Sequence, residues 1–374
     1  MASKVYFTDM RAEPGNNLLQ KLKKLIIKAG IDNIDFNNKY VAIKVHFGEP
    51  GNMAYLRPNY ARVIVDYVKS KGGKPFLTDC NTLYVGNRKD ALEHLTAAYE
   101  NGFNPLVTNC HTIIADGLRG TDEQLVEVVG GTYVKQAKIG KAIMDADIFI
   151  SLNHFKGHET AGFGGAIKNI GMGCGSRAGK MEQHCDGKPT INLTKCRGCH
   201  KCSTQCAQDA IYFNCDGKAV INIDKCVGCG RCLGECNFNA IHNSNNSSVK
   251  LFNMKMAEYA SAVLRNRPNF HINLIMDVAP VCDCRSANDT PIVADIGMLA
   301  SFDPVALDKA CVDKCNQAPV LPNSQLAEQL AKHTDLHEHF KNTNVNSDWQ
   351  ACLTHCQELG VGEQEYELVS IDKP

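Results

Sequence analysis

Short apolar runs alternate with amphipathic segments along the first 150 residues. Runs rich in β-branched and aromatic side chains predict strands at 41–47, 75–80, 106–110 and 147–153. Apolar positions at helical spacing predict helices at 59–70 and 88–99. Such alternation is typical of βαβ units with right-handed crossovers. It predicts an α/β fold built on a parallel sheet.

The pattern is interrupted and then resumes. Residues 162–179 are rich in glycine, which favours backbone turns and close approach to a ligand. A cysteine-dense block and the polar stretch 243–248 follow. Helices are predicted beyond them at 253–264, 303–315 and 324–340, with a buried strand at 272–281. The predicted domains are therefore an α/β domain in two parts, 1–188 and 244–374, and an insert at 189–243.

The charge balance and the lack of long apolar runs argue against nucleic-acid and membrane partners. The chain has 374 residues, and its 40 Lys and Arg residues balance its 40 Asp and Glu residues. A zero net charge argues against nucleic acid as a partner. The N-terminus lacks the basic and apolar pattern of a leader, and no run of 18 apolar residues occurs. We therefore expect a cytoplasmic protein without a membrane partner.

Nineteen cysteines are many for an intracellular protein. Thiols persist in a reducing cytosol, where clustered cysteines are typically metal ligands or reactive groups. Eight of them form two runs with the spacing C-x2-C-x2-C-x3-C, thirty residues apart. The first run is Cys196, Cys199, Cys202 and Cys206, and the second is Cys226, Cys229, Cys232 and Cys236. Gly198 and Gly228, and Ala210 and Ala240, repeat at the same interval, so the block is an internal duplication.

This spacing suits a [4Fe–4S] cubane, because one loop can present three thiolates to three irons while the fourth iron needs a ligand from elsewhere. The block resembles bacterial dicluster ferredoxins over roughly residues 190–243. The resemblance implies two [4Fe–4S] clusters with exchanged fourth ligands. One would be held by Cys196, Cys199, Cys202 and Cys236, and the other by Cys226, Cys229, Cys232 and Cys206. The alternative is a pair of structural zinc sites, which would not require a third and fourth cysteine in both runs.

The rest of the chain carries a second resemblance. Residues 153–184, the sequence VHFGEPGN near residue 46 and ADIGMLASFDPVALDKA from residue 294 resemble the family called domain of unknown function 362. Its members are often titled uncharacterised iron–sulfur centre proteins. The resemblance extends to about residue 316 and implies no particular reaction.

Residues 158–173 (HETAGFGGAIKNIGMG) are also similar to a stretch of nickel-pincer lactate racemase. That similarity implies an acid–base role for His158, attachment of a nucleotide-type cofactor to Lys168, nickel ligation by His184 and phosphate binding by Arg57. The second acid–base histidine of the racemase has no counterpart in the segment 79–84. The similarity thus favours a shared cofactor pocket over a shared reaction.

Further candidates surround this segment. His154 is a second catalytic candidate, and Gly164 and Gly165 are candidate cofactor-binding positions, because imidazoles can move protons or bind metals and glycines admit a ligand. The alternative for the histidines is a hydrogen-bonded loop. The remaining cysteines form two groups. Those of the first group lie beside the glycine segment or at a predicted strand end and are candidate ligands of another metal. Those of the second group share a helix face, which predicts that they pack in the core. The first group is Cys174, Cys185, Cys282 and Cys284, and the second is Cys311, Cys315, Cys352 and Cys356.

Three functions remain open. The clusters predict an oxidoreductase or electron carrier of anaerobic metabolism, exchanging electrons with a redox partner protein or a small-molecule substrate. An isomerase or other enzyme with a nickel-pincer-like nucleotide cofactor is the second. A non-catalytic iron–sulfur or metal carrier is the third.

Overall fold

A computed structural model describes residues 2–84, 86–184, 188–206, 208–226, 228–243, 248–332 and 338–372. Within these residues the strands are β1 (Ser3–Asp9), β2 (Tyr40–Lys44), β3 (Lys74–Asp79), β4 (Thr112–Ile114), β5 (Glu123–Glu127), β6 (Gln136–Gly140), β7 (Ile148–His154), β8 (Lys156–His158), β9 (Gly162–Gly164), β10 (Pro189–Ile191), β11 (Ile211–Phe213), β12 (Ala219–Ile221), β13 (Ile241–Asn243), β14 (Asn269–Ile275), β15 (Gly297–Ser301) and β16 (Tyr366–Ser370). The α-helices are α1 (Leu18–Lys28), α2 (Pro58–Ser70), α3 (Ala91–Glu100), α4 (Pro105–Thr108), α5 (Lys141–Asp145), α6 (Ala166–Cys174), α7 (Arg177–His184), α8 (Lys201–Thr204), α9 (Arg231–Gly234), α10 (Val249–Leu264), α11 (Pro304–Gln317), α12 (Gln325–Leu330), α13 (His339–Thr343) and α14 (Trp349–Glu358).

An eight-stranded sheet organises the chain in the order β16-β1-β15-β14-β7-β2-β3-β4. The five strands from β14 to β4 are mutually parallel. β15 runs antiparallel to both of its neighbours, and β16 is parallel to β1. Every residue of β7 is buried, as expected where helices cover both faces of a parallel sheet. The predicted α/β class is confirmed, with one antiparallel strand inside the sheet.

Local signals explain where several helices begin. Asn17 and Gln20 form a reciprocal capping box at the start of α1. Asp90 caps α3 by accepting hydrogen bonds from the backbone N–H groups of Leu92 and Glu93.

α10 packs against α6 and α14, and α11 packs on β14. These contacts hold α6, which lies within the glycine-rich segment 162–179, against the carboxyl half of the chain. Along the described part of the chain, no helix combines the length and apolar character needed to cross a membrane.

Three predicted elements are wrong in part. Residues 106–110 do not form a strand, because Asn104 accepts backbone N–H groups and Pro105 starts the short helix α4. The strand predicted at 272–281 is 269–275, since the chain turns at Asp277, whose φ is +45°. The helix predicted at 324–340 is two short helices, α12 and α13, and residues 333–337 between them lie outside the described part.

The C-terminal region, which carries no recognisable motif, completes the fold. β16 joins the edge of the sheet beside β1, and Trp349 begins α14, which packs against α10 and α11. The four cysteines predicted to pack do so. All are buried in the main core: Cys311, Cys315, Cys352 and Cys356.

The cysteine block forms two small antiparallel sheets, β10 with β13 and β11 with β12. Its two halves have the same backbone conformation at matched positions, with φ of +64° at His200 and +69° at Gly230. Their cross-connections also match, because Asn192 N donates to Ala240 O and Asn222 N donates to Ala210 O, each at 2.7 Å. The duplication in the sequence is thus a structural duplication with interleaved halves. Residues 185–187 and 244–247, on either side, lie outside the described part.

Candidate functional site

The eight cysteines of the two runs surround two separate cavities. Cys196, Cys199, Cys202 and Cys236 line the first. Cys206, Cys226, Cys229 and Cys232 line the second. The last cysteine of each run therefore lines the cavity of the other run, which is the grouping that the ferredoxin resemblance implies.

Backbone amides and apolar side chains complete these cavities. Ala219 N donates to Cys196 Sγ at 3.4 Å, and Ala240 N and Ala210 N donate at 3.3 Å to Cys236 Sγ and Cys206 Sγ. Amide donors of this kind stabilise negative charge on sulfur and tune iron–sulfur centres. Within the described residues, no three His, Cys, Asp or Glu side chains are grouped closely enough to ligate a single ion.

The second cavity adjoins the α/β body. The Arg177 guanidinium of α7 donates to Gly230 O at 3.0 Å and to Lys89 O at 2.6 Å. Leu83 and Met181 form a small apolar cluster on which Leu233 packs. The loop carrying Cys229 and Cys232 therefore sits directly on residue 83, which belongs to the loop after β3.

That loop borders a polar pocket at the carboxyl ends of β2, β3 and β7, the sheet edge where α/β folds usually place their ligands. The described cavity has a volume of about 60 Å³. Its lining is rich in ionisable side chains, namely His46, Asp79, Tyr84, Arg88, His154, Lys156, Lys168, Lys180 and Cys284.

Buried ion pairs fix one wall of the pocket. Lys44 Nζ, fully buried, lies 3.0 Å from Asp79 Oδ1 and donates to Asn169 Oδ1 at 2.6 Å. Arg88 Nε donates to Glu49 Oε2 at 2.8 Å. Burial raises the pKa of the Asp79 carboxyl, but the Lys44 ammonium outweighs it, so that the pKa lies below its ordinary value. Asp79 therefore stays ionised and supplies fixed negative charge.

His154 is fully engaged by protein groups. Its Nδ1 lies 2.8 Å from Asp283 Oδ2, and its Nε2 lies 2.8 Å from Met276 O. Both ring nitrogens are therefore engaged by protein groups. In this arrangement neither nitrogen is available to a metal or to substrate. His154, predicted as a catalytic candidate, here orients Asp283.

His158 has one ring nitrogen committed to the backbone. Its Nδ1 accepts from Thr160 N at 3.1 Å and from Ala161 N at 2.9 Å. The proton of the neutral ring must therefore lie on Nε2. Burial, reinforced by the Lys168 charge, lowers the pKa of His158. His158 is thus a neutral imidazole whose Nε2–H can donate into the site.

Lys168 lies beside a cysteine that is remote in sequence. Its Nζ donates to Cys282 Sγ at 3.4 Å. The neighbouring Cys284 thiol, Lys168 and His158 together hold the pKa of Cys282 well below the usual range, although burial opposes them. The structure therefore brings two predicted residues, His158 and Lys168, onto a thiol that was predicted only as a candidate metal ligand.

His184 joins the same neighbourhood through an aromatic contact. Its ring centroid lies 5.0 Å from that of Phe252, and the His158 ring stacks on Phe252 at 6.4 Å. Burial and the nearby His158 lower the pKa of His184 to about 3. His158, Lys168 and His184 are thus neighbours, as the racemase similarity implies, and both histidines are neutral.

The other predicted residues have structural partners. Arg57 is 59% exposed and lies 3.5 Å from Asp277 Oδ2, and it is absent from the described pocket lining. Gly165 packs directly on Asp308, which accepts backbone N–H groups from Ala166 at 2.7 Å and Ile167 at 2.9 Å. A protein carboxylate therefore occupies the amides that a phosphate would use at this helix start.

Gly164 has a different environment. A side chain at Gly164 would place its Cβ 2.9 Å from Lys156 Nζ and 3.4 Å from Lys168 Cδ. The absence of a side chain therefore leaves room for both lysines at the pocket. Cys174 is buried at the end of α6, where its carbonyl accepts from Cys80 Sγ at 3.3 Å, and Cys185 lies outside the described residues.

Sequence reasoning missed several residues of this site. Lys44 and Asp79 each end an apolar strand, and a charge at that position is a signal that could have found them. His94 lies on α3 with its Nε2 3.9 Å from Asp79 Oδ2. Arg88 and Asp283 carry no sequence signal, because their partners, Glu49 and His154, are 39 and 129 residues away.

Comparison with known proteins gives a family and distant structural likenesses. The chain is 28% identical to a thylakoid-associated protein of Synechocystis over 131 residues, which cover 33% of this chain and 35% of that protein. It spans about a third of the length of that curated relative. The apoprotein structure of lactate racemase from Thermoanaerobacterium thermosaccharolyticum aligns over 84% of this chain and 58% of that one, with 13% identity and a TM-score of 0.42.

A crystal structure of a Thermotoga maritima protein aligns over 94% of this chain and 86% of that one, with 12% identity and a TM-score of 0.38. The family model described as a domain of unknown function matches residues 41–313, which include the cysteine insert and most of the polar pocket. The chain therefore belongs to the DUF362 family.

Proposed function

We propose that this protein is a cytoplasmic iron–sulfur oxidoreductase that transfers electrons between two [4Fe–4S] clusters in the insert and the polar pocket of the α/β domain. The observation that carries the proposal is the grouping of the eight cysteines, four around each of two cavities. Two zinc sites would need sulfurs converging at about 2.3 Å on one ion, whereas four thiols around a cavity suit a cubane with an iron at each corner.

The residues that would hold the clusters are the four lining each cavity. When bound, each cluster would accept and donate one electron. Amide N–H groups of Ala210, Ala219 and Ala240 stabilise the cysteine sulfurs, and the apolar lining excludes water. The chain itself thus supplies both the ligands and the low-polarity surroundings that such groups need.

Two consecutive residues connect the cysteine insert to the polar pocket. Leu83 packs against the loop of Cys229 and Cys232, and the next residue, Tyr84, lines the pocket. Arg177 fixes the loop by donating to Gly230 O. These contacts place the second cavity, rather than the first, beside the pocket.

The pocket itself suits a small polar substrate. Of the cations in its lining, Arg88 is paired with Glu49 and Lys156 with Asp283. Among the described residues, no carboxylate forms an ion pair with the other two, Lys168 and Lys180. An excess of positive charge in a buried site favours an anionic ligand. We therefore expect the redox substrate, or the group that a redox partner protein presents, to carry negative charge.

Metal and sulfide analysis of the full chain, purified without air, tests the proposal. We expect about eight iron and eight sulfide per chain and, after reduction, the EPR signals of interacting [4Fe–4S] clusters. Cys215, exposed and outside both cavities, gives the matched control Cys215→Ser, which should retain all of the iron. Stoichiometric zinc without sulfide would contradict the proposal.

A second candidate is an enzyme with a nickel-pincer-like nucleotide cofactor. The observation that favours it is the proximity of His158 and His184, both packed on Phe252. Bound nickel together with an increased mass of the peptide containing Lys168 would support it. Iron and sulfide without bound nickel and without the increased peptide mass would contradict this second candidate and support the electron-transfer proposal.

A further inference from the structure

Cys282 and Cys284 occupy a tight turn beside the pocket. Arg285 N donates to Cys282 O at 3.1 Å, which closes a four-residue turn with Asp283 and Cys284 at its centre. Residues at positions i and i+2 of such a turn approach closely enough for the Cα separation of about 4.4–6.8 Å that a disulfide spans. The turn therefore keeps the two Cα atoms within disulfide range, and a side-chain hydrogen bond links the two thiols.

The residue between the two cysteines anchors the turn. The Asp283 carboxylate lies 2.8 Å from His154 Nδ1 and 3.6 Å from Lys156 Nζ. Burial raises the pKa of Asp283, but the charges of His154 and Lys156 outweigh that effect and lower it. A fully ionised, buried Asp283 fixes the backbone on both sides, so the thiols keep their relative position.

The two thiols have different surroundings. Cys282 is fully buried and receives the Lys168 ammonium at 3.4 Å, with the Nε2–H of His158 also donating to it. Cys284 is half-buried, lines the pocket and contacts the Tyr84 hydroxyl. Its hydrogen bond with Cys282 raises the pKa of Cys284. Cys282 is therefore suited to be a stabilised thiolate, and Cys284 a protonated thiol accessible from the pocket.

We infer that Cys282 and Cys284 form a two-electron dithiol–disulfide centre at this pocket. On reduction the sulfur–sulfur bond breaks, two electrons enter, Cys284 takes up one proton from water, and Cys282 remains a thiolate beside Lys168. Oxidation reverses each of these changes. The source of the electrons in the cell rests on the proposed function, because Tyr84 directly follows Leu83, which contacts the loop of the second cavity.

An intracellular disulfide of this kind is typically catalytic rather than structural. A lysine beside one sulfur and a second thiol within reach are the features that make a thiol pair redox-active. The pair also matches the electron count, since two one-electron clusters together supply the two electrons that one disulfide consumes.

The test uses the full chain, kept without air. The protein is equilibrated in a series of buffers that differ in the ratio of reduced to oxidised dithiothreitol. Dithiothreitol is oxidised as the protein disulfide is reduced. Acid quenching, alkylation with iodoacetamide and mass spectrometry of the peptide containing residues 282 and 284 then report the disulfide. We expect this peptide to lose two hydrogens in oxidising buffer and to titrate as a two-electron couple.

Variants separate the roles of the two thiols. Cys284→Ser should abolish the disulfide, whereas Cys215→Ser should leave its titration unchanged. Lys168→Met should make the disulfide harder to reduce, shifting the dithiol-to-disulfide ratio at a given buffer by about tenfold, because the thiolate of the reduced form loses its ammonium partner. Above the pKa of Cys282, reduction takes up one proton for two electrons. The midpoint potential of the couple should then change with pH half as steeply as that of a couple that takes up one proton for each electron.

Two results would overturn the inference: alkylation of both cysteines at every buffer ratio, or a stoichiometric metal bound by both. Iron and sulfide are measured on the same samples. Eight iron without the disulfide would refute the dithiol centre alone. A disulfide in a protein that never contains iron would refute the proposed function and leave the dithiol centre standing.

Discussion

Leu83 and Gly230, one in the loop after β3 and the other in the cysteine insert, lie in direct contact. A Cβ added at Gly230 would fall 2.5 Å from Leu83 Cδ1, and the φ of Gly230 is +69°. The insert can therefore approach the pocket loop only because residue 230 has no side chain. This contact joins the loop of the second cavity to the loop that borders the polar pocket.

Gly230→Ala should destabilise the protein more than Gly217→Ala. Both glycines have a positive φ, +69° and +68°, which costs about 1–2 kcal/mol for alanine, but nothing lies within 4 Å of the added Cβ at Gly217. Overpacking against Leu83 adds about 1–3 kcal/mol at Gly230. Urea unfolding followed by circular dichroism measures the difference. Leu83→Ala combined with Gly230→Ala should be destabilised by less than the sum of the two single variants, because the shorter side chain removes the clash. Equal effects of the two glycine variants would contradict the contact.

Under the proposed function, Cys206→Ser should damage the cluster whose ligands come mainly from the second run. Cys206 belongs to the first run but lines the cavity of Cys226, Cys229 and Cys232. Removing one thiolate should reduce iron and sulfide to about half of the eight expected. The exposed Cys215→Ser is the control. Iron analysis with EPR decides, and selective loss of the cluster held by Cys196, Cys199 and Cys202 would show that the ligands are not exchanged.

Asp79 should make stability depend on acid pH. Its folded pKa lies below the ordinary value of 3.8 because Lys44 favours the ionised form despite burial. The stabilisation is therefore complete above about pH 4, the unfolded value, and is lost as pH falls further towards the folded value. Asp79→Asn should cost about 3–5 kcal/mol at pH 7, because it leaves the buried Lys44 charge unpaired.

The matched control for this prediction is Asp66→Asn. Asp66 pairs with Arg62 one helical turn away on the surface, and such pairs contribute less than about 1 kcal/mol. Urea unfolding at pH 7 and at pH 3.5 measures both variants. The Asp79 variant should lose less stability between the two pH values than the wild type does, and an unchanged pH dependence would refute the role of Asp79.

Arg177→Lys should loosen the insert. The buried guanidinium donates to both Lys89 O and Gly230 O, and a lysine cannot make both bonds in this geometry. Hydrogen exchange of residues 228–236 should become about tenfold faster, which corresponds to about 1.4 kcal/mol. Arg119→Lys is the control, since Arg119 forms a solvent-exposed hydrogen bond with the Gln205 side chain of the cysteine block. Equal protection in both variants would refute the anchoring role.

Local patterns were sufficient for the fold class and for predicting which four cysteines lie around each cavity. Strand and helix periodicity repeats within a few residues, so β2, β3, β7 and α2 could be placed from the sequence with small errors at their ends. The ligand spacing is equally local, because one loop holds three of the thiols in each cavity. The helix start at Pro105 was misjudged because a proline next to an asparagine cap outweighed an apolar run.

Two residues of the polar pocket, His154 and Lys168, were candidates from the sequence, but the contacts that form the pocket depend on the tertiary structure. Lys168 and Cys282 are 114 residues apart, and Lys44 and Asn169 are 125 apart, yet each pair is in hydrogen-bond contact. No local pattern encodes such contacts, because they arise where crossover connections bring the ends of separate strands to one edge of the sheet. The sequence by itself determined the α/β fold and the duplication of the cysteine block. The contact between Lys168 and Cys282 is known only from the tertiary structure, because it depends on the order of the strands in the sheet.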